Sequence, residues 1–459
     1  MKKRNFVALS LCAAMTASSL AACGSSAPAQ TVEESTAKSE ESTESAETQA
    51  AAETAADAAD TVEDFGGAEL EMVTRLSTDG GLTELKALCD SFGEKYNCTI
   101  TLTEYGNEYE SILKTRMASN EMPDLLETHG WSRLRYGEYL EPVQNESWYQ
   151  YQSDVAKGVL EGDGEDAYAL MLTASVVGMV WNKTVCEENG IDLYAVETYD
   201  DVIEVCQKLI DAGLVPIGSR GSADDMADFA GVFCSYPDAP SPDAAAQLDG
   251  SWDWASYKQV TELWAKLIDM GALWEDVATM DSTATKDRIT SGSSVFTMAN
   301  GIGLAATYAK TNPEYEYVST PFPAVTEGAK RYAGCGEGYA VGVYNESEHK
   351  DAAMKFLEYM ATEGGELASV VGGYQVISSI EMDNTTPVQQ AYQRTMDEFP
   401  DTVYVNLWDR EYMPNGMWSV FSEAAGMLFS DTSEENQQQV IAYLKTAYDE
   451  KYAADHPEQ

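Results

Sequence analysis

Glu127, Thr128, His129, Trp131 and Arg133 crowd directly behind Leu125-Leu126. The residues up to Met122 read as the end of an amphipathic helix, broken by Pro123, which cannot continue one. Leu125-Leu126 then reads as a short buried strand of a parallel sheet. In open α/β sheets, ligands sit outside the carboxyl ends of the strands, which is where this cluster falls. A carboxylate, an imidazole and an indole there could hydrogen-bond and stack on a small molecule. The same residues also fit a surface loop in which Trp131 pins the next helix.

The aromatic residues indicate which small molecule. A sugar presents apolar C–H faces and a rim of hydroxyls, so its receptor needs flat aromatic platforms and planar polar side chains. Nine Trp and 26 Tyr are more than a core needs. Tyr105, Trp131, Tyr339, Tyr374, Trp408 and Trp418 stand at expected strand ends or loops. Tyr374 follows Gly372-Gly373, where backbone can approach a ligand closely. Asp79, Glu127, His129, Asn300 and Glu337 are the candidate polar partners. Trp252, Trp254, Trp264 and Trp274 flank a helix carrying Leu263, Leu267 and Ile268 and read as core.

Other chemistries find less support. Glu187/Glu188 and Asp224/Asp225 are adjacent carboxylates, but glycoside hydrolysis needs two at a set separation, one with a raised pKa. Among 77 acidic residues, chance pairs are expected. The three His and the absence of a Gly-x-Ser-x-Gly elbow argue against nucleophilic catalysis. Gly301-Ile302-Gly303-Leu304-Ala305-Ala306 spells GxGxxA, but Ser319-Thr320-Pro321-Phe322 stands where a dinucleotide site needs an acid. The better reading is a helix start whose free N–H groups face a cleft. No Cys/His spacing suits a metal, and no cofactor is expected. Cys89, Cys98, Cys186, Cys206, Cys234 and Cys335 permit disulfides, with Cys89–Cys98 and Cys186–Cys206 the local choices, or serve equally as buried thiols.

The chain that must position these groups begins outside the fold. Lys2, Lys3 and Arg4 precede a short apolar run, Phe6 to Ala17, too short to span a bilayer permanently. Leu20-Ala21-Ala22-Cys23 resembles the lipobox of bacterial lipoproteins, which implies cleavage before Cys23 and a lipid on its sulfur; an ordinary secretory signal is the alternative. Residues 24 to 64 hold eleven carboxylates and one Lys, with too few large apolar groups to offset their ordering entropy. They read as an extended tether. Of the net −49, residues 65 to 459 retain −42, once +3 in residues 1–23 and −10 in the tether are set aside. That balance excludes nucleic acid as a partner and favours neutral or cationic ligands. The roughly 395 remaining residues suit two lobes. Strand-like Leu70 to Leu76, helical Leu82 to Phe92, strand-like Thr99 to Thr103 and helical Tyr109 to Met117 give βαβα, hence α/β with a mostly parallel sheet.

The order of several short segments resembles the family 1 extracellular solute-binding proteins, the sugar-binding components of ABC importers. They are Phe92 to Ile100, Met117 to Leu126, Tyr136 to Val143, Tyr168 to Lys183, Glu197 to Val202, Phe296 to Gly301, Pro321 to Ala324 and Gly338 to Val341. The resemblance implies a two-lobe, periplasmic-binding-protein-like (type II) fold, hinged around an interlobe cleft. One lobe would hold about 66–175 and 336–380, the other about 177–333 and 385–459. The chain would cross near 169–177, 334–339 and 378–387. Ile302 and Gly303 replace a Trp the family often carries there, and Trp418 falls near a Trp that stacks on sugar in the maltose-binding branch. The implied protein is no enzyme. It is a monomeric receptor, lipid-anchored through Cys23 to the outer face of the cell membrane, delivering a mono- or oligosaccharide to a membrane-embedded ABC transporter permease. The same fold could instead take a polyamine, peptide or metal chelate. A tethered surface glycoside hydrolase is the enzymatic alternative.

Overall fold

A computed structural model describes residues 63–77, 80–128, 133–162, 164, 166–381 and 386–456. Cys23, the signal, most of the tether, Asp79, His129 and Trp131 lie outside the described residues. The chain falls into two units, 1–60 and 61–459, and the elements below belong to the second. Asp64 Oδ1 accepts from Asn97 Nδ2 at 2.7 Å and from Gly66 N at 2.8 Å.

β1 (Ala68–Thr74) is followed by the helix Gly80–Tyr96, which buries Leu85, Leu88, Cys89, Phe92 and Tyr96, the stripe a 3.6-residue period puts on one face. The helix returns the chain so that β2 (Cys98–Glu104) runs parallel to β1. The return is tight. Asn97 takes a left-handed φ of 52°, which Asn tolerates. A Cβ on Gly93 would stand 2.6 Å from the Cys98 carbonyl oxygen, so only glycine fits between helix and strand.

Seven strands follow: β3 (Leu125–Glu127), β4 (Leu170–Asn182), β5 (Phe296–Gly301), β6 (Tyr317–Thr320), β7 (Tyr332–Val343), β8 (Tyr374–Gln375) and β9 (Val403–Asn406). The order is β2-β1-β3-β7-β4-β5, with β6 and β8 also on β4 and β9 on β7. β3 joins β1 in parallel, but β7 joins β3 antiparallel, and β4 is antiparallel to every partner it has. The sheet is therefore mixed, not mostly parallel. The chain runs out along β4 and returns along β7, and two such passes oppose each other.

Two apolar cores make the two lobes of this α/β fold. The first gathers Met72, Phe92, Trp148, Val341 and Phe356; the second gathers Trp181, Phe229, Trp264, Phe421 and Tyr448. β4 serves both, with Val176 in the first and Val177 in the second, and β7 does the same between Ala333 and Tyr332. Gly334 and Gly336 lie on one face of β7, since side chains alternate along a strand, and Gly338 stands at a bulge opposite Thr173 and Ala174. A Cβ at Gly334 would stand 2.9 Å from Leu407, one at Gly336 2.8 Å from Leu407, and one at Gly338 2.8 Å from Thr173 Oγ1. The bare strand face lets the segment around Leu407 settle on the crossing.

Trp252, Trp254 and Trp264 are fully buried in the second core, as their helical setting suggested. Trp252 and Trp254 lie with ring centroids 4.0 Å apart. Trp274 is only partly buried and lies under the Arg288 guanidinium, 4.3 Å from its centroid. The six cysteines are free and buried, so neither Cys89–Cys98 nor Cys186–Cys206 forms. They act as small apolar groups in the cores.

Candidate ligand cleft

The first side of the candidate cleft is built at the ends of β1, β3 and β7. Glu127 closes β3 and is fully buried. Its Oε2 accepts from Thr74 Oγ1 at 2.6 Å and Arg75 N at 3.0 Å, and its Oε1 accepts from Arg75 Nε at 2.6 Å. The Tyr109 hydroxyl donates to its backbone oxygen. The carboxylate is thus spent on the protein, and what it holds is Arg75, whose side chain is 40% exposed. Arg75 Nη2 also reaches the Gly338 carbonyl at 3.4 Å. Glu337 is buried beside it and accepts from Thr128 Oγ1 at 2.7 Å. Tyr339 is buried too, and burial and the nearby Glu127 charge push its phenol well up. Of the expected ligand contacts here, Glu127 supports the strand ends, Glu337 holds Thr128, and the buried Tyr339 hydroxyl has no partner among the described residues; Arg75 is the exposed group the sequence reading missed. Tyr105, just beyond β2, accepts from Arg116 Nη1 at 3.0 Å, and Arg116 pairs with Glu71 at 2.6 Å.

On the second side, β5 ends at Asn300-Gly301, and the segment after Ile217 runs beside it, Gly218 N donating to Phe296 O at 2.8 Å. Asn300, Ser219, Arg220, Asp224, Thr285 and Thr297 are among the groups lining a pocket of about 340 Å³, within the range of small-molecule sites. The pocket is polar by construction. Ser222 starts the helix Ala223–Ala227 with a capping box to Asp225. Arg220 pairs with Asp224. The buried hydroxyls of Thr285 and Thr297 have no partner among the described residues. Burial pushes the Asp225 carboxyl up to about 6.

Between these sides lie two further carboxylates. Asp228 ends the turn that carries Asp224 and Asp225, and Asp409 lies on the helix Trp408–Tyr412. Both are more than nine-tenths buried. Burial pushes both carboxyls up; for Asp228 the charges of Asp224 and Asp409 add to the rise, against the pull of Arg410. Past them, Arg133, Glu337, Asn406 and Glu411 line a gap of about 20 Å³, room for about one water or hydroxyl. Sequence reading passed over Asp228 and Asp409 as two acids among many, and only their depth distinguishes them.

The remaining aromatic candidates separate. Trp408 is fully buried in the second core, its indole N–H donating to Ser235 Oγ at 2.7 Å, so it is no free platform. Trp418 is 41% exposed, in the first turn of the helix Met417–Ser430. Tyr374 lies against Tyr392 at 5.4 Å and lines a different concavity, with Gln389, Gln393 and Arg394 of the helix Pro387–Glu398. Asn300 is the candidate that the structure brings to the 340 Å³ pocket.

The sequence matches the family model described as bacterial extracellular solute-binding protein over residues 87–391. It is similar to the melibiose/raffinose/stachyose-binding protein MelE of Bacillus subtilis, 24% identical over 374 residues, 79% of this chain and 85% of that protein. The fold is similar to that of the binding protein MsmE of Bacillus subtilis in an open conformation, with a TM-score of 0.76, 22% identity, and coverage of 86% of this chain and 100% of that one. It is also similar to a Bacillus licheniformis sugar transporter in complex with stachyose, with a TM-score of 0.69, 24% identity, and coverage of 83% and 99%. With two cores bridged by β4 and β7, strand ends facing a polar pocket, and a family match over most of its length, this chain belongs to the bacterial extracellular solute-binding proteins.

Proposed function

We propose that this protein is a receptor that binds a mono- or oligosaccharide between its lobes and delivers it to a membrane-embedded ABC transporter permease. The observation that carries this reading is the polar pocket of about 340 Å³ at the end of β5, where the hydroxyls of Thr285 and Thr297 are buried with no partner among the described residues. Buried polar groups left unpaired are costly unless something supplies hydrogen bonds. A carbohydrate is a rim of hydroxyl donors, and buried carboxylates are strong acceptors for them. Arg75, Asn300 and the Thr285 and Thr297 hydroxyls add groups of the opposite and mixed kind, and Trp418, with Trp131 outside the described residues, would offer stacking faces. Asp79 and His129 complete the proposed contact set. The likeness to a melibiose/raffinose/stachyose-binding protein supports the same class of ligand.

The proposed lobes are 66–175 with 336–380, and 177–333 with 385–459. Lipid anchoring through Cys23 would hold this body on the outer face of the membrane, with the acidic segment as spacer. No turnover is expected. Binding itself is tested by calorimetry with raffinose, stachyose and melibiose, with a galacturonate oligomer as the anionic control. Saturable binding of a neutral sugar and none of the uronate is expected; failure to bind any neutral sugar overturns the reading. The strong negative charge of the body favours one alternative, a polyamine, and saturable binding of spermidine with no sugar binding would select it. New reducing ends, appearing at a rate proportional to protein, would return the hydrolase reading.

A further inference from the structure

Arg133 and Glu411 are 278 positions apart, and Arg133 Nη2 reaches the two carboxylate oxygens of Glu411 at 2.8 and 2.7 Å. The two residues belong to different cores. Arg133 accepts at its carbonyl from Gly137 N. Tyr136 and Leu140 of the same segment pack with Val73 and Leu126 of β1 and β3. Glu411 follows Leu407 and Trp408, both members of the second core. Other ion pairs, such as Arg116–Glu71 and Arg220–Asp224, stay within one core's elements.

Each partner is placed by its own side. The Arg133 guanidinium lies over Gly162, the residue that ends the helix Asp154–Glu161; a Cβ there would stand 2.6 Å from Cζ. That is the negative end of the helix dipole, a favourable place for a cation. Glu411 is held by Asn406, whose Nδ2 donates to Oε2 at 2.8 Å, and by the buried Trp408 at the start of its helix. With side chains 21% and 12% exposed, the pair is screened less than a surface pair. The adjoining gap of about 20 Å³ leaves no space for a sugar ring between the lobes at this point. Contact here is protein on protein.

We infer that Arg133 and Glu411 form a latch between the lobes, stabilising the lobe arrangement of this structure independently of ligand. Being wholly protein, the pair biases the equilibrium between lobe arrangements whether or not the cleft is filled, and ligand adds only its differential affinity for one of them. Removing the latch therefore shifts the ligand-free protein away from this arrangement.

Small-angle scattering on the full chain, with no sugar added, tests this. Arg133→Met and Glu411→Gln should each shift the radius of gyration away from the wild-type value. The double variant should shift it no further than either single one, because both remove one interaction. Circular dichroism checks that each is folded. Folded single variants with the wild-type radius would falsify the latch, and so would additive effects in the double variant. Should either single variant fail to fold, Arg133→Lys and Glu411→Asp, which keep the charges but cannot span the same geometry, are read the same way. Because no ligand is present, the outcome is independent of whether the ligand is a sugar.

Discussion

Arg75 Nε lies 2.6 Å from Oε1 of Glu127, a side chain with no exposed surface, while the Arg75 side chain is 40% exposed. Glu127 sits at the end of a strand in the middle of the first lobe's sheet, between β1 and β7. There its two oxygens fix the backbone and the side chain at the end of β1. An acid that the sequence places on a cleft wall thus acts one residue removed, by setting where a guanidinium points.

That relationship reverses the ordinary expectation for a ligand-binding carboxylate. Glu127→Ala should lower folding stability, because it leaves Thr74 Oγ1 and the Arg75 N–H groups without their acceptor. Hydrogen bonds to charged groups and orphaned buried donors suggest a loss of about 1.5–3 kcal/mol. Arg75 is partly exposed and can turn to water, which keeps the loss near the lower end. Urea unfolding measures it. An unchanged midpoint would mean the network contributes nothing.

Asp228 should show the opposite sign. Its folded carboxyl holds a proton to higher pH than in the unfolded chain. For a raised carboxyl, stability is lost as pH rises from the ordinary carboxylate range through the folded value. Asp409, and Asp225 at about 6, act in the same direction. Asp228→Asn should therefore melt higher than wild type at pH 7.5, with the gap closing toward pH 4. A gain on the order of 1 kcal/mol is about 2–4 °C in a domain of 150–250 residues. If Asp228 accepts a ligand hydroxyl, the same variant should bind neutral sugar roughly tenfold more weakly, from about 1.5 kcal/mol per charged hydrogen bond. A variant that melts lower at neutral pH and binds as wild type contradicts both statements.

How much of this was readable beforehand depends on the range of the interaction. Local periodicity placed β1, the helix Gly80–Tyr96, β2 and the buried Leu125-Leu126 strand, since each is decided by residues within a turn or two of one another. The mixed sheet was not readable, because β4 and β7 pair across more than 150 positions, as between Leu170 and Val341. Glycines at 334 and 336 were visible as residues, but what they admit, Leu407, is distant in sequence. The site was legible as a place more than as a set of contacts. Asn300, at the end of β5, lines the 340 Å³ pocket, whereas Glu127 and Trp408 have the composition of ligand residues and are consumed by the core.

The cysteines give a redox prediction. All six described are buried and free. Desolvation pushes Cys89, Cys186 and Cys335 to about 12, so the reactive thiolate is scarce at neutral pH. Adding dithiothreitol should leave the melting temperature of the body unchanged, and alkylation of these six should require unfolding. A clear fall in melting temperature on reduction would mean that a disulfide forms after all.

Trp408 and Trp418 stand ten residues apart and make the sharpest comparison. Trp408 is fully enclosed with its N–H bonded to Ser235 and Gln247, and rings of Trp252 and Phe421 surround it at 6.0 and 5.6 Å. Trp408→Ala should cost about 3–5 kcal/mol of stability, the range for emptying a buried aromatic site. Trp418 is 41% exposed and lies beyond a left-handed Gly416 at φ 84° that starts its helix. Its truncation removes little core, so stability should fall by less than about 1 kcal/mol. If its indole stacks on sugar, Trp418→Ala should cost about 2 kcal/mol of binding, near thirtyfold in affinity. Calorimetric titration with stachyose and a thermal melt on the two variants separate the roles. Wild-type sugar affinity in Trp418→Ala would remove that indole from the proposed contact set and leave Trp131 as the remaining candidate platform.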